Sequence, residues 1–242
     1  MSDKYILLWF EAPLQAWGAD SKFGRRDTLP FPTKSGVIGL ALCAMGASGP
    51  QNDLLEILNR GAFHCTSYTR LKPEQEGRAR DKVNKEPLLR DFHMVGSGYD
   101  DQNTWQRLLI PKTSEGKPAV GGGSKMTYRY YLQDAIFAVV WEMAVDMVET
   151  LCDALQFPVY DLYLGRKNCV PTERIFQGSF DSISEALETA AILAREKQLV
   201  EDFRILDGEH EDQGEVMTLN DVPVQFGEVK KYRDRRVTKV LS

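Results

Sequence analysis

The sequence has no long apolar segment at its start and few of the residues on which metal or redox chemistry depends. The opening run Tyr5 to Phe10 covers only six residues after Asp3 and Lys4. That is too short for a signal core or a membrane span, so a soluble, cytoplasmic protein is expected. Cysteine is scarce. Cys43, Cys65, Cys152 and Cys169 lie far apart among apolar or strand-like neighbours, without the paired spacing of a zinc motif, which predicts reduced thiols, no metal and no cofactor. Histidine is scarcer still, with only His64, His93 and His210 to serve acid–base chemistry. No internal repeat is present. Positive charge is also short: the net charge is −5, which taken alone argues against a nucleic-acid partner. Residues 181 to 215, however, hold eleven acidic and three basic side chains, leaving +3 for the rest of the chain. Cations then cluster at 22–34, 70–90, 166–174 and 230–239. Each cluster is either a solvated face or part of an anion-binding surface.

What the sequence does have is 43% hydrophobic residues, enough for a substantial core in one large domain with or without an appendage. Residues 4–12 read as a strand with Ile6, Leu8 and Phe10 on one face and Leu7 and Trp9 on the other, a pattern that suits a central position. A basic loop follows and runs into a predicted helix over about 34–45, capped by Thr33 or Ser35. Lys22, Arg25, Arg26 and Lys34 precede the helix, and Gly36 and Gly39 reduce its bulk there. Cations at a helix N-terminus suit an anion such as phosphate; an ordinary solvated loop is the competing account. A short helix follows Asn52 or Asp53, then a strand over 62–71.

Composition changes at residue 72. From there to about 127 the chain is polar, with GGGS at 121–124, and reads as a long projecting insertion. PLLRDFHMVGSGYD and MTYRYYLQD are expected to form the two edges of a hairpin with a mobile tip. Residues 135–142 read as a buried strand, 147–155 as a short helix and 175–180 as a further strand. Ser182 and Glu185 fit a capping box ahead of an acidic outer helix, and the tail from Phe203 shows two or three strands. The order strand, helix, strand, insertion, strand, helix, strand is that of a split βαβ, ferredoxin-like unit. The expected class is α+β, with residues 1–181 as one domain and 182–242 as an acidic helix and β-rich extension. Such sheets often bind RNA through an exposed face and loops.

PLQAWG followed by FPTKSGVIGL, then LLRDFHMVGSG, YRYYL and YLGRKNCVP, in that order and spacing, resemble the family-five Cas proteins. These are the CasD-type subunits of type I-E CRISPR surveillance complexes (Cascade), within the repeat-associated RNA-binding (RAMP) superfamily. The resemblance covers roughly residues 4 to 180 and is looser beyond. It implies a non-catalytic subunit that holds the 5′ handle of the CRISPR RNA and caps one end of the complex. The insertion would be a thumb pressing on the RNA, and the neighbours would be the CasC backbone subunit and the large CasA subunit. Target DNA would be read by guide pairing in the assembled complex.

By the same likeness Gln15, Trp17, Arg25, Arg26, Thr33, Lys34 and Ser35 match the first motif and would line the handle site. The cations would meet phosphate, while Thr33, Ser35 and free amides would fix strand direction. Trp17 either stacks on a base or packs in the core. Tyr163, Leu164, Gly165, Arg166 and Lys167 match the second motif, and Arg90, His93 and Arg129 belong to the base of the thumb.

Three other readings compete. Relatives in another CRISPR subtype cut precursor RNA without metal; here His93 is the one histidine suited to that work, since His64 reads as packed and His210 as exposed in an acidic turn. A nucleotide-binding enzyme is suggested by Gly36 and Gly39, yet their spacing matches neither a dinucleotide fingerprint nor a P-loop. A structural module whose basic clusters bind acidic protein is the third.

Overall fold

The computed structural model describes residues 4–18, 24–72, 81–95, 102–109, 112–113, 115–117 and 125–242. In chain order these form β1 (Lys4–Glu11), the short strands β2 (Leu14–Gln15), β3 (Trp17–Gly18), β4 (Arg25–Arg26) and β5 (Thr28–Leu29), then α1 (Lys34–Ala44), α2 (Asn52–Leu58) and β6 (Phe63–Arg70). Next come β7 (Leu89–Val95), α3 (Thr104–Leu109), β8 (Lys125–Gln133), β9 (Ile136–Met143), α4 (Val145–Gln156) and β10 (Phe176–Phe180). The chain ends with α5 (Ile183–Glu196), β11 (Leu199–Asp207), β12 (Glu215–Gln225) and β13 (Lys231–Leu241). The molecule is a mixed α/β structure built on antiparallel sheets. Among the described residues no helix is long and apolar enough to cross a membrane.

The main sheet runs β10-β1-β9-β6-β11-β13-β12, antiparallel at every pairing. The double-sided apolar pattern of β1 is explained by its place between β10 and β9. Ile6, Leu8 and Phe10 enter the larger core cluster with residues of α1, α2 and α4, while Leu7 and Trp9 enter a second cluster with α5. Strand alternation thus feeds two cores, one on each side of the sheet.

Helix α5 covers the second face. Ala186, Ala190 and Ala194 form a small-residue stripe four apart that packs with Trp9, Ala138 and Val140. Its start is fixed by Ser182, whose hydroxyl accepts the Glu185 amide at 3.2 Å, and by the Glu185 carboxylate, which accepts the Asp181 amide at 3.2 Å. The second hydrogen bond falls one residue earlier than in a standard capping box. This part of the sheet is therefore not an open platform for RNA, contrary to the expectation of an exposed face.

Helix α1 is apolar round most of its circumference, with Val37, Ile38, Leu40, Ala41, Leu42 and Ala44 all buried, because it is wedged against α4 on one side and β12 on another. A second, four-stranded assembly is centred on β8, which pairs with β7, β2 and β4. The expected hairpin is present as β7 and β8 in antiparallel register, Phe92 opposite Tyr128 and Met94 opposite Met126. Of the expected tip, Thr104–Leu109 form α3, whereas GGGS lies outside the described residues.

Candidate nucleic-acid interface

The start of α1 is capped by Thr33, whose Oγ1 accepts the Gly36 amide at 3.1 Å. The next amide, that of Lys34, donates to Asp221 Oδ2 at 2.8 Å. The anion at this helix N-terminus is thus an internal carboxylate brought by β12, and it takes the position expected for phosphate. Lys34 itself is buried and donates to the carbonyls of Asn59 (3.1 Å) and Gly61 (2.9 Å), with Asp207 at 3.8 Å. Burial lowers its pKa, and the nearby Asp207 charge opposes that shift. Arg235 completes the network with two hydrogen bonds to Asp221, at 2.7 and 3.0 Å, and one to Asp207 at 3.2 Å. Burial works against its charge, but the two carboxylates outweigh burial and hold its pKa above the ordinary value. The expected phosphate role of Lys34 is therefore corrected: its ammonium is turned inward to neutralise a buried cluster.

Gln15 and Trp17 are corrected likewise. Both are fully buried. The Gln15 amide donates to the carbonyls of Ala135 (2.6 Å) and Phe10 (3.3 Å) and accepts the Trp17 indole N–H at 3.0 Å. The Trp17 ring lies 5.2 Å from Phe10 and against Gly36, where a Cβ would approach it to 2.9 Å. Of the alternatives for Trp17, packing is the one observed, and no face is left for a base.

The two motifs nevertheless meet. The Ala16 amide donates to the Leu164 carbonyl at 3.1 Å, and Gly165 sits at φ +96° where a Cβ would fall 1.6 Å from the Ala16 oxygen, so only glycine closes this joint. Leu164 is buried and acts through its backbone and its packing. Arg166 donates to the carbonyls of Tyr130 (3.0 Å) and Arg26 (2.9 Å), its guanidinium 4.6 Å from the Tyr131 ring centre. It ties β8, β4 and the second motif together.

Around this joint several cations remain outside. Arg26 and Lys167 are exposed. Arg25, also exposed, grips Asp27 through Nε at 2.8 and 2.9 Å and lies 4.9 Å over Tyr130. Arg90 lies 5.6 Å over Tyr128. Half-buried Arg129 stands in register with Asp91 on one side and Arg26 on the other. His93 is hydrogen-bonded to Asp91. Lys22 lies outside the described residues. The histidines are dispersed over β6, β7 and the turn after β11; His64 is half-buried, and burial depresses its pKa. The four cysteines are free thiols.

Beside α1 lies a cleft of about 470 Å3, lined by Thr33, Ser35, Gly36, Gly39, Tyr163 and Gly165 together with Phe226, Lys230 and Tyr232. The last three come from the β12–β13 hairpin and were missed by sequence reasoning. The basic run KKYRDRR was visible, but no local signal places it against a helix almost two hundred residues away.

Comparison with known proteins is consistent with this geometry. Residues 5–238 match the family described as CRISPR-associated protein (Cas_Cas5). The CRISPR system Cascade subunit CasD of Escherichia coli (strain K12) is 29% identical over 178 residues, covering 72% of this chain and 70% of that protein. A chain of a structure titled CRISPR RNA-guided surveillance complex superposes with a TM-score of 0.67 at 25% identity, covering 98% of this chain and 90% of its own. A second, titled crystal structure of Cas protein, gives 0.55 at 23% identity over 98% and 94% and shares the fold. With its matched residues running from the first strand to the last, this chain belongs to the CRISPR-associated Cas5 family.

Proposed function

We propose that this chain is a non-catalytic RNA-binding subunit of a type I-E CRISPR surveillance complex, holding the 5′ handle of the CRISPR RNA and capping one end of the assembly. The observation that carries this reading is the convergence at Arg166. Motifs 140 residues apart are locked together there, beside the exposed Arg25, Arg26, Arg90 and Lys167 and the rings of Tyr128 and Tyr130. Grouped cations of this kind neutralise backbone phosphates, and the tyrosines supply ring faces; such contacts read backbone and shape rather than sequence. The order β10-β1-β9-β6 with α1 and α4 as crossovers supports a ferredoxin-like unit. The β7–β8 hairpin serves as its thumb within an insertion of about 72–130, and residues 182–242 form an extension that lengthens the same sheet. CasC-like backbone and CasA-like large subunits are the expected neighbours, with target DNA reached through guide pairing.

The joint replacement Arg25→Ala and Arg26→Ala tests the reading. Both side chains are exposed, so the melting temperature should hold while affinity for handle RNA falls roughly tenfold at low salt, as expected for lost phosphate contacts. Unchanged affinity would refute the site. The His93–Asp91 hydrogen bond favours one second reading, a metal-independent endoribonuclease. Specific cutting of labelled repeat RNA that disappears in His93→Ala would establish it.

A further inference from the structure

We propose that the cleft between α1, the 163–165 loop and the β12–β13 hairpin receives one unpaired ribonucleotide of the bound RNA, its base against Tyr232 and its phosphate at Lys230. This rests on the RNA-binding reading above and extends it to the C-terminal hairpin. The argument starts from the lining. Among the described residues that form the cleft there is no carboxylate, although the chain as a whole is acidic. There is one cation, Lys230, a half-buried hydroxyl from Ser35, and three aromatic rings, from Tyr163, Phe226 and Tyr232, while the Thr33 hydroxyl is engaged by the Gly36 amide. A flat base, a ribose hydroxyl and a single phosphate ask for that combination. The volume of about 470 Å3 falls in the range of small-ligand sites, so it admits one splayed nucleotide and excludes a duplex.

The room in the cleft is made by glycine. A Cβ on Gly39 would meet nothing within 4 Å, and the same holds for Gly18, so packing does not demand glycine at either position. Gly36, in contrast, is required by Trp17 and Thr33. A glycine kept in mid-helix with empty space before it costs helix stability relative to a side-chain-bearing residue. Access for a ligand accounts for that cost.

The aromatic wall is built in advance. Phe226 and Tyr232 pack edge to face with ring centres 6.3 Å apart at 70°. The Phe226 amide donates to the Pro50 carbonyl at 3.1 Å, Asn59 Nδ2 donates to Pro223 O at 2.7 Å, and Asp221 holds the first amide of α1. The hairpin is thus fastened to the start of α1 and to the residues flanking α2 on either side, so binding orders little that is not already fixed.

The test uses the full chain and handle RNAs carrying a single abasic site at each position in turn. Wild-type protein should show one position at which loss of the base weakens binding roughly tenfold, the effect of one lost stack. Tyr232→Ala should weaken intact RNA by a similar factor and abolish sensitivity at that position alone, and Tyr232→Phe should restore both. Gly39→Leu should behave like Tyr232→Ala while its melting temperature stays level or rises. If Arg25→Ala/Arg26→Ala loses affinity but Tyr232→Ala and Gly39→Leu do not, the cleft assignment fails and the RNA-binding reading survives. If none of these variants loses affinity, both fail. A Tyr232→Ala defect that is equal at every abasic position, or one confined to subunit assembly without RNA, also overturns the cleft assignment and points to a protein ligand.

Discussion

Lys34 shows how a side chain can carry the right charge in the right motif and still serve a different purpose. Its sequence neighbourhood, a cap followed by glycines, is that of an anion site. The carboxylates that claim it, Asp207 and Asp221, arrive from strands far along the chain, and that pairing left no trace in local spacing. Lys34→Met is therefore expected to act on stability rather than selectively on RNA: the Asn59 and Gly61 carbonyls lose a charged donor and Asp207 a partner. A loss of about 2 kcal/mol or more is expected, read from the urea midpoint at constant slope. His64 supplies a second expectation. Burial holds its pKa below the ordinary 6.5 against the opposing pull of Asp207 and Glu142, with smaller help from the His210 and Arg235 charges. Between the lowered and the ordinary value the unfolded chain binds more protons than the native one, so stability rises with pH through that window. It is fully present above the ordinary value and is lost as pH falls through it. The urea midpoint should drop as pH falls below the ordinary histidine value toward the lowered one, and His64→Gln should show a smaller drop.

The strands and helices were legible where hydrophobic period and punctuation agree. The spacing of 4–12 predicts what is observed as Lys4–Glu11, 34–45 what is observed as Lys34–Ala44, and the two tyrosine- and arginine-bearing edges pair as β7 and β8. Thr33 rather than Ser35 is the cap, and that choice depends on backbone angles no pattern reveals. The pairing of β11 with β6 was not legible, because register between strands so far apart is fixed by burial on both faces and not by any turn. The two-residue strands β2 to β5 carry no periodicity at all. Within the hairpin, Arg129 sits half-buried between Asp91 and Arg26 in adjacent strands. Arg129→Ala should leave the unfolding free energy within about 0.5 kcal/mol of wild type, as for a substitution outside the core. Pull-down of the assembled complex should recover less guide RNA. Full assembly with intact guide would remove the residue from the gripping surface.

Charge is distributed so that one chain of net −5 presents two opposite characters. The acidic stretch 181–215 begins with α5, which covers one face of the sheet, whereas the exposed arginines stand around β4, β8 and the 163–167 loop. The α1 cleft lies on the side of the larger core cluster. Such segregation along the chain lets a nominally acidic protein present a locally cationic surface to a polyanion. It also separates two kinds of contact that a single affinity would confuse. Each phosphate neutralised by an arginine releases counterions and adds about one unit to the slope of log affinity against log salt; a base stacked on an aromatic ring releases none. Handle RNA titrated over a range of salt should therefore give parallel lines for wild type and Tyr232→Ala, displaced in affinity. Arg26→Ala should give a shallower line, by about one unit. Equal slopes for wild type and Arg26→Ala would mean that this arginine meets no phosphate, and the basic surface would then have to be sought elsewhere on the hairpin.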